Sequence, residues 1–504
     1  MTAAQAPAPK PRAGLAGVAT NHRGLKKDAL SFGSNLVIAI ASTAPAYSLA
    51  AALASVVAAV AFNVPGILIA AFVPILFVAA AYYHLNRADP DCGTSFSWVT
   101  RAMGPYWGWM AGWGIIATDI LVMPGLSQVA ALYSCRLFGI AHPDSTVQAI
   151  IGVGWIVVMT AICYLGIEIS ARTQKLLLSA EIVILAVFAV VALTKVYGPA
   201  PPPGAQHVAL AWFNPFGASD SGTFGQAMLI AVFIYWGWDT GASVNEETRN
   251  PKTAPASAAI VSTLILVALY VLVAVAAVAF AEPGLAKYSG DDFLAPLAQS
   301  VLPGWLAELL ILAVITSAAA STQTTILPAA RTMISMAHAG ALPKKFGDVH
   351  YRNMTPGFAT LAMGAVSVVW YLVLAYIPNA DILTDSVTAT AFGIAFYYAL
   401  TGFAAAIYYR RELRESLRNF ISMGLVPALG GAMMLALFVM ACSSYFGPDA
   451  DHTAIFGFGP PLVFGVGGLL AGVVLMVLAR IALPDFFRRK PEVVDPSLVG
   501  VHHP

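Results

Sequence analysis

Residues 40–46 read IASTAPA and residues 231–241 read AVFIYWGWDTG, and each stretch interrupts a long apolar run. Pro45 has no N–H and biases Ala44 away from helical dihedral angles, so a helix through the first stretch is expected to break. In the second stretch, two glycines bracket Asp239 within a segment of membrane-spanning length. Because glycine adopts non-helical dihedral angles easily, a second break is predicted there.

The two interruptions occupy matching places, since they lie five apolar segments apart along the chain. Interrupted helices in corresponding halves are typical of transporters built from inverted repeats, in which the half-helix ends bind a substrate at mid-membrane. A simple kink is the alternative for either interruption alone, because Pro and Gly are common in membrane helices. Their matched positions favour a binding site.

Composition places the chain in the membrane. Of 504 residues, 59% are hydrophobic and only 10% are charged, which excludes an ordinary soluble domain. The net charge of +1 offers no field for a polyanion, so nucleic-acid binding is not expected. Neither a disulfide framework nor a metal or cofactor site is expected from the four widely separated cysteines, which are Cys92, Cys135, Cys163 and Cys442.

Twelve segments are long and apolar enough to cross a bilayer as helices. They are residues 31–60, 66–84, 105–137, 146–166, 175–196, 222–246, 255–281, 304–337, 357–377, 382–409, 420–444 and 457–482. With both termini cytoplasmic, all of the 26 Lys and Arg residues lie on the inner side except Arg136, Lys195 and Lys287. This asymmetry predicts that orientation, in a multi-pass protein of the cytoplasmic membrane. Residues 1–28, rich in Ala and Pro, are expected to form a disordered cytoplasmic tail.

Three stretches carry a resemblance to a known family. Residues 235–255 read YWGWDTGASVNEETRNPKTAP, residues 321–356 read STQTTILPAARTMISMAHAGALPKKFGDVHYRNMTP, and residues 93–114 read GTSFSWVTRAMGPYWGWMAGWG. They are similar to the sixth helix, the eighth helix with its following loop, and the start of the third helix in the amino acid–polyamine–organocation superfamily. The chain resembles the amino acid permeases of that superfamily in particular.

The resemblance implies an all-α integral membrane protein with a LeuT-type fold of 5+5 inverted repeats, discontinuous helices one and six, and secondary active transport. The implied units are a first repeat at 29–200, a second repeat at 201–410, helices eleven and twelve at 411–484, and a cytoplasmic C-terminal tail at 485–504.

The resemblance also implies a substrate site at the two breaks. The substrate carboxylate would meet backbone amides at Ser42, Thr43 and Ala44. The substrate amino group would meet backbone carbonyls at positions Phe233, Ile234, Tyr235 and Gly237, and Phe233 would act as a gating aromatic. The family usually has glycines where this chain has Ser42 and Ala44, so hydroxyls are expected to assist the backbone, while the proline that follows removes one donor.

Charged residues inside membrane segments invite functional hypotheses, because they are costly unless paired or hydrated. Asp239 matches the family's acid at the sixth break, where a change of protonation can couple to substrate binding; its alternative role is to cap the unwound segment. Glu181, in the fifth span, either carries a proton or bonds a hydroxyl of the eighth helix, such as Ser317, Ser321 or Thr322. Asp119, in the third span, faces the substrate path or has a structural partner.

An ion pair at the inner end is a further expectation. Arg331, at the cytoplasmic end of the eighth helix, is predicted to pair with Glu246 or Glu247 and close an inner gate, or else to be a plain positive-inside charge.

The predicted function is a permease that moves an amino acid or related small amine with protons by alternating access. The chain has no GxxxxGK[ST] motif, so energy comes from an ion gradient or from exchange. An obligate exchanger is the nearest alternative. A multi-span membrane enzyme is a remote one, because the nine histidines are scattered and form no catalytic cluster with acids.

Overall fold

The structure is a computed structural model that describes residues 19–140, 143–217, 221–281, 294–377, 381–446, 455 and 457–491. The rest of the chain, including residues 1–18 and 492–504 of the two predicted tails and Lys287, lies outside the described residues. Within them the chain is helical, with three isolated β-bridges and no extended strand.

Eighteen α-helices follow one another along the described chain. They are α1 (Phe32–Ser42), α2 (Pro45–Val60), α3 (Val64–Ala88), α4 (Ser95–Met103), α5 (Pro105–Leu137), α6 (Ser145–Leu165), α7 (Ile167–Val196), α8 (Ser221–Tyr235), α9 (Thr240–Ser243), α10 (Ala254–Phe280), α11 (Leu294–Val301), α12 (Gly304–His338), α13 (Gly357–Ala375), α14 (Ile382–Tyr408), α15 (Leu417–Asn419), α16 (Val426–Ser444), α17 (Pro460–Ala482) and α18 (Pro484–Phe487). A π-helical turn, Phe420–Leu425, joins α15 to α16.

Ten segments of the described chain are long and apolar enough to cross a membrane. One of them, Phe32–Ala88, contains the first two predicted spans, and the helix at the sixth predicted span, Gly222–Tyr235, is shorter than a full crossing. An integral membrane protein with several spans is therefore confirmed, and the number of twelve stays a prediction.

The first predicted break is confirmed. Helix α1 ends at Ser42, and Ala44 adopts a left-handed conformation with φ 46° and ψ 68°. Pro45 is the first residue of α2, a position that its missing N–H and restricted φ suit well. The chain therefore turns between two half-helices, as the sequence Ala-Pro predicts.

The second break is confirmed as well. Helix α8 ends at Tyr235, and α9 begins at Thr240. Gly237, between them, has φ 114°, and a Cβ placed on it would lie 2.5 Å from the carbonyl oxygen of Ser42. Glycine is required here both for its dihedral angle and for this approach, so the two breaks lie against each other.

The core of the bundle forms around α5, which packs against α12 and α14. The most apolar window of α5 is 83% buried, whereas that of α17 is only 22% buried. Large apolar side chains such as Leu470, Leu478 and Ile481 cover the exposed face of α17. This outer helix therefore presents a surface suited to lipid, and the inner helices hold the polar groups described below.

Both described chain ends lie at one end of the bundle, because His22 and Lys490 line the same cavity. Residues 19–28, the described part of the predicted tail, pack there together with residues 29–30. The Leu25 side chain is fully buried. The Leu30 N–H donates to the Glu247 carbonyl at 3.0 Å, and the Arg249 N–H donates to the Leu30 carbonyl at 2.8 Å.

Candidate functional site

The backbone donors at the start of α2 are occupied by side chains from other helices. The Ala46 N–H donates to Glu181 Oε1 at 2.6 Å, and the Tyr47 N–H donates to Ser317 Oγ at 3.2 Å. The Ser317 hydroxyl itself donates to Glu181 Oε1 at 2.7 Å. Glu181 thus caps the positive end of α2 from α7, and its hydroxyl partner is one of the three that the sequence put forward.

The other N–H groups at this break donate to backbone carbonyls three or four residues earlier in the chain. Thr43 donates to the Ile40 carbonyl and Ala44 donates to the Ala41 carbonyl, each at 3.1 Å. Ser48 donates to the Ala44 carbonyl at 2.8 Å. Because Pro45 has no N–H, every backbone donor from position 43 to position 48 has a partner. The amides predicted to receive a substrate carboxylate are therefore engaged in this conformation.

The second break is different, because some of its acceptors have no donor. Of the four carbonyls predicted to meet a substrate amino group, those of Phe233 and Gly237 accept from the N–H groups of Trp236 and Thr240, at 2.9 and 3.0 Å. The carbonyl oxygens of Ile234, Tyr235 and Trp236 accept no hydrogen bond from the residues that the structure describes. They stand at the C-terminal end of α8, where the helix dipole is negative. The Tyr235 side chain points away from the break and donates to the Leu68 carbonyl at 3.1 Å. These residues are buried, and a set of buried carbonyls without donors at a negative helix end is suited to an ammonium group.

Asp239 follows these carbonyls and is held by three tyrosine hydroxyls. Tyr397 and Tyr82 donate to Oδ2 at 3.0 and 3.2 Å, and Tyr398 donates to Oδ1 at 3.1 Å. The carboxyl group is buried and makes no capping bond to α9. We call Asp239 with Tyr82, Tyr397 and Tyr398 the tyrosine cage. Hydroxyls that rotate can serve either an ionised or a protonated carboxyl group.

Sequence reasoning identified the acid but missed its three partners. Tyr82 lies in α3 and the other two tyrosines lie in α14, and the rings of Tyr82 and Tyr398 pack with that of Trp238. Adjacent tyrosines inside an otherwise apolar span were the available signal, because a buried phenol needs a hydrogen-bond partner.

Direct contacts join the two breaks. The Ser42 and Thr240 hydroxyls lie 2.8 Å apart, and the Ser321 hydroxyl donates to the Ser42 carbonyl at 3.1 Å. Near them, the ring of Phe233 meets that of Tyr47 edge-on, with centroids 6.4 Å apart. The structure therefore brings Ser42, Ser321 and the residues of the second break together. The Ser42 hydroxyl serves as a link between half-helices.

Asp119 lies on α5, buried, and near enough to Asp239 for the two carboxyl groups to interact electrostatically. Its Oδ2 has no hydrogen-bond partner among the described residues. The same holds for the hydroxyl of Tyr47, the indole N–H of Trp238 and the hydroxyl of Ser386. Buried polar atoms usually have a hydrogen-bond partner, so these four are candidates for contact with a substrate or with water.

Two arginines form three ion pairs at the end of the bundle where residues 19–30 pack. Arg331 and Glu247 are both fully buried, with a closest N to O distance of 3.1 Å. Glu246, the other candidate partner of Arg331, instead binds Arg23, which also contacts Asp91 at 2.7 Å. The adjacent residues Glu246 and Glu247 thus bind different arginines.

Burial and charge act in opposite directions on the loop between α3 and α4. Burial raises the pKa of Asp91, but Arg23 and several hydrogen bonds lower it by a larger amount. The pKa of Asp91 therefore lies well below its usual range. Burial raises the pKa of Asp89 to about 7 despite the nearby Arg101. Asp91, Cys92 and Glu246 offer ligand atoms within 4.8 Å of one another, but the Arg23 guanidinium already contacts all three.

Comparisons with known proteins agree with this geometry. The family model described as "Amino acid permease" matches residues 29–479. The fold is similar to that of MhsT in complex with L-phenylalanine, with a TM-score of 0.58 at 15% identity over 81% of this chain and 98% of the other. The LeuT-type fold that the resemblance implied is thereby confirmed.

Three relatives illustrate the range of the family. An uncharacterized transporter of Mycobacterium tuberculosis is 27% identical over 73% of this chain and 76% of its own. The branched-chain amino acid permease BcaP of Lactococcus lactis is 25% identical over 70% of this chain and 77% of its own. The low-affinity putrescine importer PlaP of Escherichia coli is 24% identical over 75% of this chain and 80% of its own.

These matches point to a transporter rather than an enzyme. The family model spans both helix breaks, the tyrosine cage and most of the predicted membrane helices. The chain is thus a multi-pass membrane protein, and it belongs to the amino acid permease family.

Proposed function

We propose that this protein is a proton-coupled symporter that moves an amino acid or related small amine by alternating access around the two breaks. The observation that supports this proposal is at the second break, where carbonyls without hydrogen-bond donors lie beside the carboxyl group of the tyrosine cage. We also propose the cytoplasmic membrane as its location with both termini inside, supported by the basic residues Arg23, Arg101, Arg489 and Lys490, which lie at one end of the bundle.

The charge balance of the interior favours a cationic group. Asp239, Glu181 and Asp119 are buried carboxyl groups in the central helices. Among the described residues, Arg331 is the only fully buried Lys or Arg, and Glu247 already neutralises it. Because ionised carboxylates in a poorly hydrated interior need compensation, an ammonium group or protons supply it.

Asp239 is the residue that we assign to coupling. Its two oxygens accept hydroxyls from two different helices, α3 and α14, so relative movement of those helices changes what stabilises the charge. Protonation removes the need for compensation and frees the cage to rearrange. This links the protonation of one group to a change in helix packing.

A substrate carboxylate faces a competitor at the first break. The Ala46 N–H and Ser317 hydroxyl already bond Glu181, so a carboxylate can use the Ala46 donor only if Glu181 withdraws. A substrate without a carboxylate leaves this arrangement intact. Relatives named for branched-chain amino acids and for putrescine represent these two classes.

The test is uptake by the full chain reconstituted in liposomes, with an imposed proton gradient. Ornithine and putrescine form a matched pair of substrates, since they differ only in the carboxylate. We expect accumulation of at least one of them, or of another amino acid or amine from a wider set, that follows pH and does not require sodium. Accumulation that follows sodium and ignores pH contradicts proton coupling. A strict requirement for internal substrate shows exchange instead.

Asp239→Asn isolates the coupling residue. Asparagine keeps one acceptor oxygen for the tyrosine hydroxyls but cannot take up a proton. We therefore expect gradient-driven accumulation to disappear while exchange of substrate across the membrane persists. Uptake equal to that of the unmodified protein would remove Asp239 from the mechanism.

A further inference from the structure

A cavity of about 710 Å³ opens at the end of the bundle that carries both chain ends. Its lining brings together the N-terminal segment, α4, the end of α12 and the residues after α18. Basic and hydroxyl side chains dominate it, namely His22, Arg23, Ser97, Thr100, Arg101, Ser335, His338, Arg489 and Lys490. Asp91 is the one acidic residue of this lining.

The cations of this lining fall into two groups. Asp91 and Glu246 bind Arg23, and Asp89 lies 2.8 Å from Arg101, so these two charges are compensated. Arg489 and Lys490 have no carboxylate partner among the described residues. Arg489 and Lys490 are therefore the two surplus cations of this lining, in the sense that no carboxylate of the described chain pairs with them.

The surplus charges are held in place by the packing of α18. Phe486 stacks on Phe96 with ring centroids 5.9 Å apart, and both rings are buried. The guanidinium of Arg489 lies 5.8 Å from the centroid of the Phe486 ring. The chain thus uses a buried aromatic anchor to bring Arg489 and Lys490 to the rim, which is unlike the behaviour of a free basic tail.

The N-terminal segment is anchored at the same cavity. Arg23 bonds Asp91, whose Oδ1 also accepts from the hydroxyls of Ser97 and Ser335 on the cavity wall. The His22 side chain stands next to this network and lines the same space. A ligand in this cavity is therefore within reach of both the N-terminal segment and residues 489–490.

We propose that this cavity binds a phosphate group carried by a larger molecule, either the headgroup of an anionic phospholipid or a soluble phosphate ester. Guanidinium, ammonium, imidazole and hydroxyl donors together are the chemistry that recognises phosphate. Basic pockets between membrane helices recognise lipid headgroups in the same way. The volume is that of a site for a small organic ligand and exceeds the needs of a lone phosphate ion. Binding ties the N-terminal segment to the C-terminal segment and stabilises the closed end of the bundle.

The test measures thermal stability of the full chain in a neutral detergent, titrated with phosphatidylglycerol, with phosphatidylcholine and with glycerol phosphate. The variant Arg489→Gln/Lys490→Gln removes both surplus charges. Arg410→Gln/Arg411→Gln is the matched control, since it removes an exposed basic pair that does not line the cavity. We expect phosphatidylglycerol or glycerol phosphate to raise Tm, with the apparent affinity about tenfold weaker in the first variant only.

Each result has one reading. A selective loss with phosphatidylglycerol assigns the lipid source, and a selective loss with glycerol phosphate assigns the soluble source. Absence of stabilisation by both compounds, or equal loss in the two variants, or an equal effect of phosphatidylcholine, overturns the proposal. If the double variant does not fold, Lys490→Gln alone keeps the Arg489 contact with Phe486 and is expected to weaken binding in the same direction.

Discussion

The two helix breaks differ in what they leave open. At the first break, Glu181 and Ser317 take the free donors at the start of α2. At the second break, the carbonyls of residues 234–236 accept nothing from the described chain, and Asp239 is surrounded by hydroxyls. A helix N-terminus buried without an anion has to be capped by the protein, whereas a C-terminus beside a carboxyl group is ready for a cation. The contrast shows that matching breaks need not bind matching groups.

The largest expected effect is that of Gly237→Ala, which disrupts the close contact between the two helix breaks. The new Cβ would lie 2.5 Å from the Ser42 carbonyl oxygen, at a residue with φ 114°. Displacing one break from the other is expected to lower initial uptake by about 100-fold. Gly340→Ala is the control, because Gly340 has φ 78° and no atom within 4 Å of its added Cβ. Similar losses in both variants would show that backbone strain, and not the contact, is responsible.

Substitutions of Glu181 test whether this residue caps α2 at the first break or carries a proton. Glu181→Ala leaves the buried Ala46 N–H without its acceptor and is expected to cost about 1–3 kcal/mol of stability, measured as a lower Tm in detergent. Glu181→Gln keeps Oε1 as an acceptor and is expected to preserve both Tm and gradient-driven uptake. If the glutamine variant is stable yet loses coupling, Glu181 carries a proton and the contrast between the breaks disappears.

The tyrosine cage predicts unequal effects of its members. Tyr398 is the one cage hydroxyl on Oδ1, whereas Tyr82 and Tyr397 share Oδ2. Tyr398→Phe is therefore expected to slow uptake by about tenfold, in line with the loss of a hydrogen bond to a charged group, and Tyr82→Phe by less. Initial uptake rates at one pH provide the measurement. Equal rates in the two variants would mean that the oxygens of Asp239 exchange their partners freely.

The smallest effect is expected for Ser42→Ala. This change removes the 2.8 Å contact between the Ser42 and Thr240 hydroxyls and leaves every backbone bond of the break intact. A loss of about 0.5–1.5 kcal/mol is expected, read as a small decrease in Tm. Ser443→Ala, at an exposed hydroxyl, serves as the control. A large loss of substrate binding would instead make the Ser42 hydroxyl a direct ligand.

Much of the fold could be predicted from local chemistry. Ala44 adopts φ 46° immediately before a proline, and Gly237 adopts φ 114°, so both breaks lie where Pro and Gly place them. The pairing of acids with arginines could not be predicted in the same way. Glu246 and Glu247 are neighbours along the chain, yet one binds Arg23 and the other Arg331. Which side of a short turn each acid faces depends on packing beyond the turn.

The amino-acid sequence alone determined the membrane environment, the two interruptions and the acid beside the second one, because each follows from apolar length or from the backbone limits of Pro and Gly. Only the tertiary structure decided which groups meet. Tyr82 lies 157 residues from Asp239, and Glu181 lies 135 residues from the N–H that it caps. The rotation and depth of each helix come from packing against its neighbours, so contacts across such distances are not written in any local pattern.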